Sequence, residues 1–124
     1  MTPSLGAIII YARDMQKTAA FYVSHFGFET TGEVIDGLIE LLPRNGGARI
    51  LIHQAAKSVK LGQAGVKLSF DVPDVRSFAA EASRNGLEFG PVHVANGYEF
   101  ANAKDPDKNS VSISSRAFRQ LSNW

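Results

Sequence analysis

The sequence predicts an α+β fold: two tandem βαβββ modules whose strands form a cup-shaped mixed sheet with the helices outside. Three observations predict it. The element order strand, helix, three strands is written twice along 124 residues. The acidic caps Asp14 and Asp74 open the two helices at matching points. Neither module alone can bury both its helix stripe and its sheet face, whereas two together can. A chain of this length suits one domain with a sizeable core. Module one spans about 4–55, a linker 56–64, module two about 65–115 and a tail 116–124.

Residues 5–12 are Ile-rich and end at Arg13-Asp14, which reads as a buried strand and then a helix cap. Met15, Ala19, Tyr22 and Phe26 recur at helical spacing, and Gly27 ends the helix in a left-handed conformation. Residues 28–34 and 38–42 read as strands, and Asn45-Gly46-Gly47 turns the chain into another at 49–53. The stretch that follows, to residue 64, has no period and reads as a linker. Val66, Leu68, Phe70 and Val72 then alternate with Lys67, Ser69 and Asp71, the pattern of a half-buried strand. Pro73-Asp74 opens a helix with the apolar face Val75, Phe78, Ala79 and Ala82, and Gly86 ends it. Residues 87–94 and 98–103 read as strands around the Asn96-Gly97 turn. Asp105-Pro106-Asp107-Lys108-Asn109 is dense turn chemistry, and residues 111–114 close the series. The tail reads as a short helix or a frayed end, with Trp124 either packed on a partner chain or frayed.

The chain carries 13 Lys+Arg, 12 Asp+Glu, three His and no Cys. Disulfides, thiolate metal sites and cysteine nucleophiles are excluded. Charge is balanced and the basic residues are scattered, so neither nucleic acid nor an anionic membrane is an expected partner. The longest apolar run is too short to span a bilayer and no basic-then-apolar leader is present, so the expected location is the cytoplasm. There is no Gly-x-Ser-x-Gly elbow, phosphate loop or dinucleotide fingerprint.

Tyr11-Ala12-Arg13-Asp14-Met15, then Ala20-Phe21-Tyr22 and Phe26-Gly27-Phe28, resemble the opening of the vicinal oxygen chelate superfamily. That group comprises glyoxalase I, bleomycin resistance proteins and extradiol dioxygenases. Asp105-Pro106-Asp107-Lys108-Asn109 resembles its late Asp-Pro-x-Gly-Asn turn, with Lys108 in place of the usual Gly. The resemblance covers roughly residues 5–115. It implies a divalent metal on the concave sheet face, held by His or Glu from the first and last strand of each module. Carried onto this sequence, the four positions are Ala7, Leu51, Lys67 and Ser112. None supplies imidazole or carboxylate, and an ammonium repels a cation. After a one-residue slip, Gly6, Ile8, Val66, Leu68, Val111 and Ile113 have no donor side chain either. The expectation is the family's fold with neither metal nor other cofactor.

Pleat alternation assigns the faces. Val66, Leu68, Phe70, Val111 and Ile113 should face the helix layer. Lys67, Ser69, Ser110, Ser112 and Ser114 then face the cup, as do Ala7, Ile9, Tyr11, Leu51 and His53 of the first module. The candidate ligand-binding residues are Tyr11, Arg49, His53, Lys67, Phe89, Tyr98, Phe100 and Ser112. The four aromatics suit stacking on a planar ligand, or packing in the core. His53 reads as a ligand-contacting imidazole or as a strand-end residue bonded to backbone. Lys67 reads as an anchor for an anionic ligand or as the partner of a carboxylate such as Glu40 or Asp71. Arg49 either guards the cup mouth or is a solvated strand end. Glu40 and Glu99 join His53 around a metal only in a rearranged site. His25 reads as structural, near a helix C-terminus where the dipole favours a cation. His93, near a turn, reads either way.

Fold does not fix function. The four unsuitable positions favour a metal-independent binder that resembles bleomycin resistance proteins and sequesters a drug-like or aromatic molecule. Tyr11 and Tyr98 or Phe100 would supply aromatic contact; His53, Lys67 and Ser112 would supply polar anchors. No catalytic residue is expected. The alternative is a glyoxalase-like lyase or dioxygenase with displaced metal ligands; a third reading is an interaction protein whose cup is filled by side chains. The resemblance implies a homodimer, with the modules paired within one chain or swapped between two.

Overall fold

The computed structural model describes residues 1–120, so Trp124 lies outside the described residues. The elements are β1 (Ala7–Ala12), α1 (Met15–Phe26), β2 (Leu38–Leu41), β3 (Arg49–Gln54), β4 (Lys67–Asp71), α2 (Val75–Arg84), β5 (His93–Val94), β6 (Glu99–Lys104) and β7 (Ser110–Ser114). A short 3-10 turn follows at Arg116–Phe118. Two helices and two mixed sheets give the α+β class, and the described strands close no barrel. No helix among the described residues is long and apolar enough to cross a membrane. The chain gathers into two compact units. The first is Met1–Gln63 together with Pro106–Lys108; the second holds Ala64–Asp105 and the chain from Asn109 on.

In the first unit the strand order is β1-β3-β2, with β1 parallel and β2 antiparallel to β3. Alternation sends Ala12, Ile50, Ile52, Ile39 and Leu41 inward, where all are buried. Helix α1 packs on this side through Ala19 and the fully buried Tyr22. The helix starts where expected: the Asp14 carboxylate accepts the Lys17 N–H at 3.1 Å. It stops at Gly27, whose φ of 71° a side chain would resist. Residues 106–108 complete the unit through a buried clip. The Asp107 carboxylate accepts the Arg13 N–H at 3.0 Å and the Thr18 hydroxyl at 2.7 Å. The Arg13 guanidinium donates to the carbonyls of Ala56 and Val59, pinning the start of the linker.

In the second unit the order is β4-β7-β6-β5, with β7 parallel to β4 and antiparallel to β6. Asp74 caps α2 by accepting the Ser77 N–H at 3.0 Å. Gly86, at φ 90°, closes the helix: its N–H bonds Ser83 and the Leu87 N–H bonds Ala82.

Four expectations need correction. Residues 28–34 form no strand, only an isolated bridge between Glu29 and Leu42. The reason is local. Gly32 sits at φ 76°, and the Thr30 and Thr31 hydroxyls accept the N–H groups of Gly32 and Glu33, which a ladder would otherwise use. The first module is therefore βαββ. Residues 87–94 shrink to β5: the Gly90 N–H still bonds the Asn102 carbonyl of β6 at 2.8 Å, but Pro91 has no N–H with which to continue the ladder. Val66 does not face the helix layer; it precedes the first ladder pair, Lys67 with Ser110, and is 62% exposed. Ser112 and Ser114 lie on the expected face, opposite Asn102 and Phe100, but they are buried rather than open to a ligand, because β7 is an interior strand with neighbours on both sides.

Candidate functional site

Each unit presents polar and aromatic groups on one sheet face. In the first unit that face holds Ala7, Ile9 and Tyr11 from β1, Arg49, Leu51 and His53 from β3, and Leu38 and Glu40 from β2. It is far more solvated than the helix-facing side: Ile9 is 54% and Tyr11 50% exposed. Register places Tyr11 directly beside His53, and their rings lie 5.1 Å apart. His53 Nδ1 lies 2.8 Å from the Gln54 carbonyl, which can only accept. Nδ1 is therefore the donor in this contact. Arg49 bonds Glu40 at 3.0 Å, so both charges are committed at one edge of the face.

A groove of about 400 Å³ opens beside Leu51, at the lower end of the size range for small-molecule sites. Leu38, Leu42 and Ile35 line it with Thr30, Thr31, Glu33, Asp36 and Glu40. Its wall is a two-residue hairpin turn. Asp36 and Gly37 are both left-handed, at φ 53° and 79°, while Ile35 and Leu38 exchange N–H···O bonds of 2.9 and 3.0 Å. Sequence reasoning missed this wall. The signal was the Asp36-Gly37 pair, which is as strong a hairpin cue as Asn45-Gly46-Gly47.

In the second unit, Lys67, Asn102, Phe100 and His93 share one face by register. Lys67 Nζ donates to Asn102 Oδ1 at 2.9 Å and lies 5.9 Å from the Phe100 ring centroid. Its partner is thus an amide, not Glu40 or Asp71. His93 stacks on Phe100 at 5.0 Å, and Tyr98 stands 6.4 Å from the same ring. Arg116 and Arg119 each sit 5.9 Å from the Tyr98 ring. Phe89 is placed apart from this group, edge-on against Phe78 of α2. Ser112 shares the face, opposite Asn102 by register, but it is 3% exposed and its hydroxyl donates to the Ala101 carbonyl at 3.0 Å.

The donor set does not fit a divalent metal. Ala7, Leu51, Lys67 and Ser112 stand where the resemblance puts ligands, and Glu40 and Glu99 are engaged by Arg49 and Arg76. Among the described residues no group of three His, Cys, Asp or Glu could hold a metal ion. His25, at the end of α1, lies against Phe21 at 4.9 Å. Burial lowers its pKa below the usual 6.5, so desolvation outweighs the helix dipole that would favour its cation.

The known proteins agree with this architecture. The structure resembles UcmS2 at 17% identity, covering 93% of this chain and 99% of that one with a TM-score of 0.78. It resembles TnmS3, an antibiotic binding protein from Streptomyces sp. CB03234, at 17% identity, 90% and 94% coverage and a TM-score of 0.75. It also resembles a lactoylglutathione lyase from Agrobacterium tumefaciens at 19% identity, 95% and 97% coverage and a TM-score of 0.72. No curated protein matches the sequence. The family model of the Glyoxalase/Bleomycin resistance protein/Dioxygenase superfamily matches residues 4–113, nearly the whole chain, and to that superfamily the chain belongs.

Proposed function

We propose that this chain is a metal-independent small-molecule binder that sequesters a drug-like or aromatic ligand in the manner of bleomycin resistance proteins, as a cytoplasmic homodimer. One observation carries the reading. An exposed apolar and aromatic face, Ile9, Tyr11 and His53, runs into a 400 Å³ groove at Leu51 with no donor set for a metal beside it. Such a surface gives a planar ligand contact area and a few polar anchors but no group placed to break a bond. The Lys67, Phe100 and His93 cluster of the second unit offers the same chemistry with a cation added. The likeness to an antibiotic binding protein supports the reading; the likeness to a lyase keeps catalysis as the competing one.

The test is thermal unfolding against a panel of planar aromatic compounds, with metal analysis of protein purified without chelator. A ligand at a hundred times its dissociation constant adds about 2.7 kcal/mol. For a chain of this size that raises the midpoint by about 10 °C. Stoichiometric divalent metal that survives desalting, or turnover of a glutathione hemithioacetal, overturns the reading.

A further inference from the structure

The geometry points to a ligand class for the first unit's groove: organic cations, with an apolar planar body and a positively charged end. This deepens the binding reading above and rests on it. The floor is hydrocarbon, from Ile35, Leu38, Leu42 and Leu51. The polar lining is acidic: Glu33, Asp36 and Glu40 carry the charges, and no Lys, Arg or His lines the groove. The chain as a whole has a net charge of +1, so this polarity is local rather than compositional. Glu40 is neutralised by Arg49 at 3.0 Å, but Glu33 and Asp36 have no ion-pair partner among the described residues.

The Thr30 hydroxyl is engaged on both sides: it donates to the Glu40 carbonyl and accepts the Gly32 N–H. Thr31 accepts the Glu33 N–H and keeps one O–H to donate. The charged capacity of the lining is carboxylate alone, which accepts hydrogen bonds and never donates them. Asp36 also sits on a two-residue hairpin turn bonded from both sides, so its carboxylate is presented by an ordered backbone. An anion would meet uncompensated like charge here, a neutral body would use only the floor, and a cation would use both.

Three planar three-ring probes separate these cases by fluorescence titration above neutral pH: N-methylacridinium (cationic), acridine (uncharged there) and anthracene-9-carboxylate (anionic). The variant is E33Q/D36N, since Asn tolerates the left-handed turn position. Two exposed charges predict that it loses roughly threefold to tenfold in N-methylacridinium affinity. Acridine affinity stays unchanged, and salt near 0.5 M erases the difference. Equal N-methylacridinium affinity in parent and variant, or tighter anthracene-9-carboxylate binding, overturns the inference while leaving the binding reading intact. If no probe binds, that reading falls and the inference with it. If sites are lost in step with self-association at rising protein concentration, the occupant is a second copy of the chain and the inference is overturned.

Discussion

Asp107→Ala tests how the first unit is held together. Asp107 is 8% exposed and receives the Arg13 N–H and the Thr18 hydroxyl, and Thr18 is fully buried. Hydrogen bonds to a charged acceptor contribute about 1.5–3 kcal/mol each, and a buried donor left alone costs about 1–3 kcal/mol. The Thr18 bond lies at the upper end of that range, because no water can replace the carboxylate at a fully buried side chain. The Arg13 bond is only part-buried and counts for less. The expected loss is about 3 kcal/mol, a large share of the roughly 5–15 kcal/mol of a typical domain. Equilibrium urea unfolding reads it. With a slope near 2 kcal/mol/M the midpoint falls by about 1.5 M at constant slope. Thr18→Val deletes the same bond from the other side and costs about 2 kcal/mol. The double variant then loses about 2 kcal/mol less than the sum, since both changes delete that bond. A midpoint within roughly 0.25 M of the parent for Asp107→Ala, or strict additivity with Thr18→Val, would refute the clip.

Gly62→Ala is destabilising by about 2 kcal/mol or more: φ is +78°, and the new Cβ would meet the Lys108 Cβ at 2.7 Å and the Asp107 carbonyl oxygen at 2.9 Å. An unchanged melting temperature would sink that expectation. Lys108→Gly goes the other way. Lys108 is left-handed at φ 66°, a strain of about 1–2 kcal/mol, set against about 0.5–1 kcal/mol for the extra freedom of glycine when unfolded. A gain of about 0.5–1 kcal/mol in urea is expected, and a loss contradicts it. Burial lowers the His25 pKa below 6.5, so the unfolded chain binds the proton more readily. Stability is therefore full above about pH 6.5 and declines as pH falls through that value toward the lower folded one. His25→Gln should remove a small part of this decline, small because the ring is only part-buried. A decline just as steep in the variant, by urea midpoints at about pH 7.5 and 5.5, would rule out His25 as its source.

Most of the fold was legible because its signals are short-range. Asp14 and Asp74 capped helices, Gly27 and Gly86 ended them, and the alternation at Leu68 and Phe70 gave the face of β4. The failures are local breaks in the backbone ladder. The threonines at 30 and 31 and Gly32 diverted N–H groups from a ladder that residue type alone predicts, and Pro91, with no N–H to give, broke the ladder before β5. The candidate site was legible where it depends on strand parity, which brought Tyr11 to His53 and Lys67 to Phe100. It was illegible where it depends on tertiary partners. Phe78 drew Phe89 toward α2, Ala101 took the Ser112 hydroxyl, and Asn102 rather than a carboxylate held Lys67. Pattern gives the side of a sheet; it does not give who is waiting there.

The two modules read as repeats, yet the first compact unit includes Pro106–Lys108 from the far end of the chain. Excision therefore treats the halves unequally. A fragment ending at Gln63 would keep both helix-facing sheet rows and α1 but lose the acceptor for Thr18 and the backbone that crowds Gly62. The part of the chain before residue 64 is therefore not complete by itself: its buried Thr18 hydroxyl depends on an acceptor 89 residues further along the sequence.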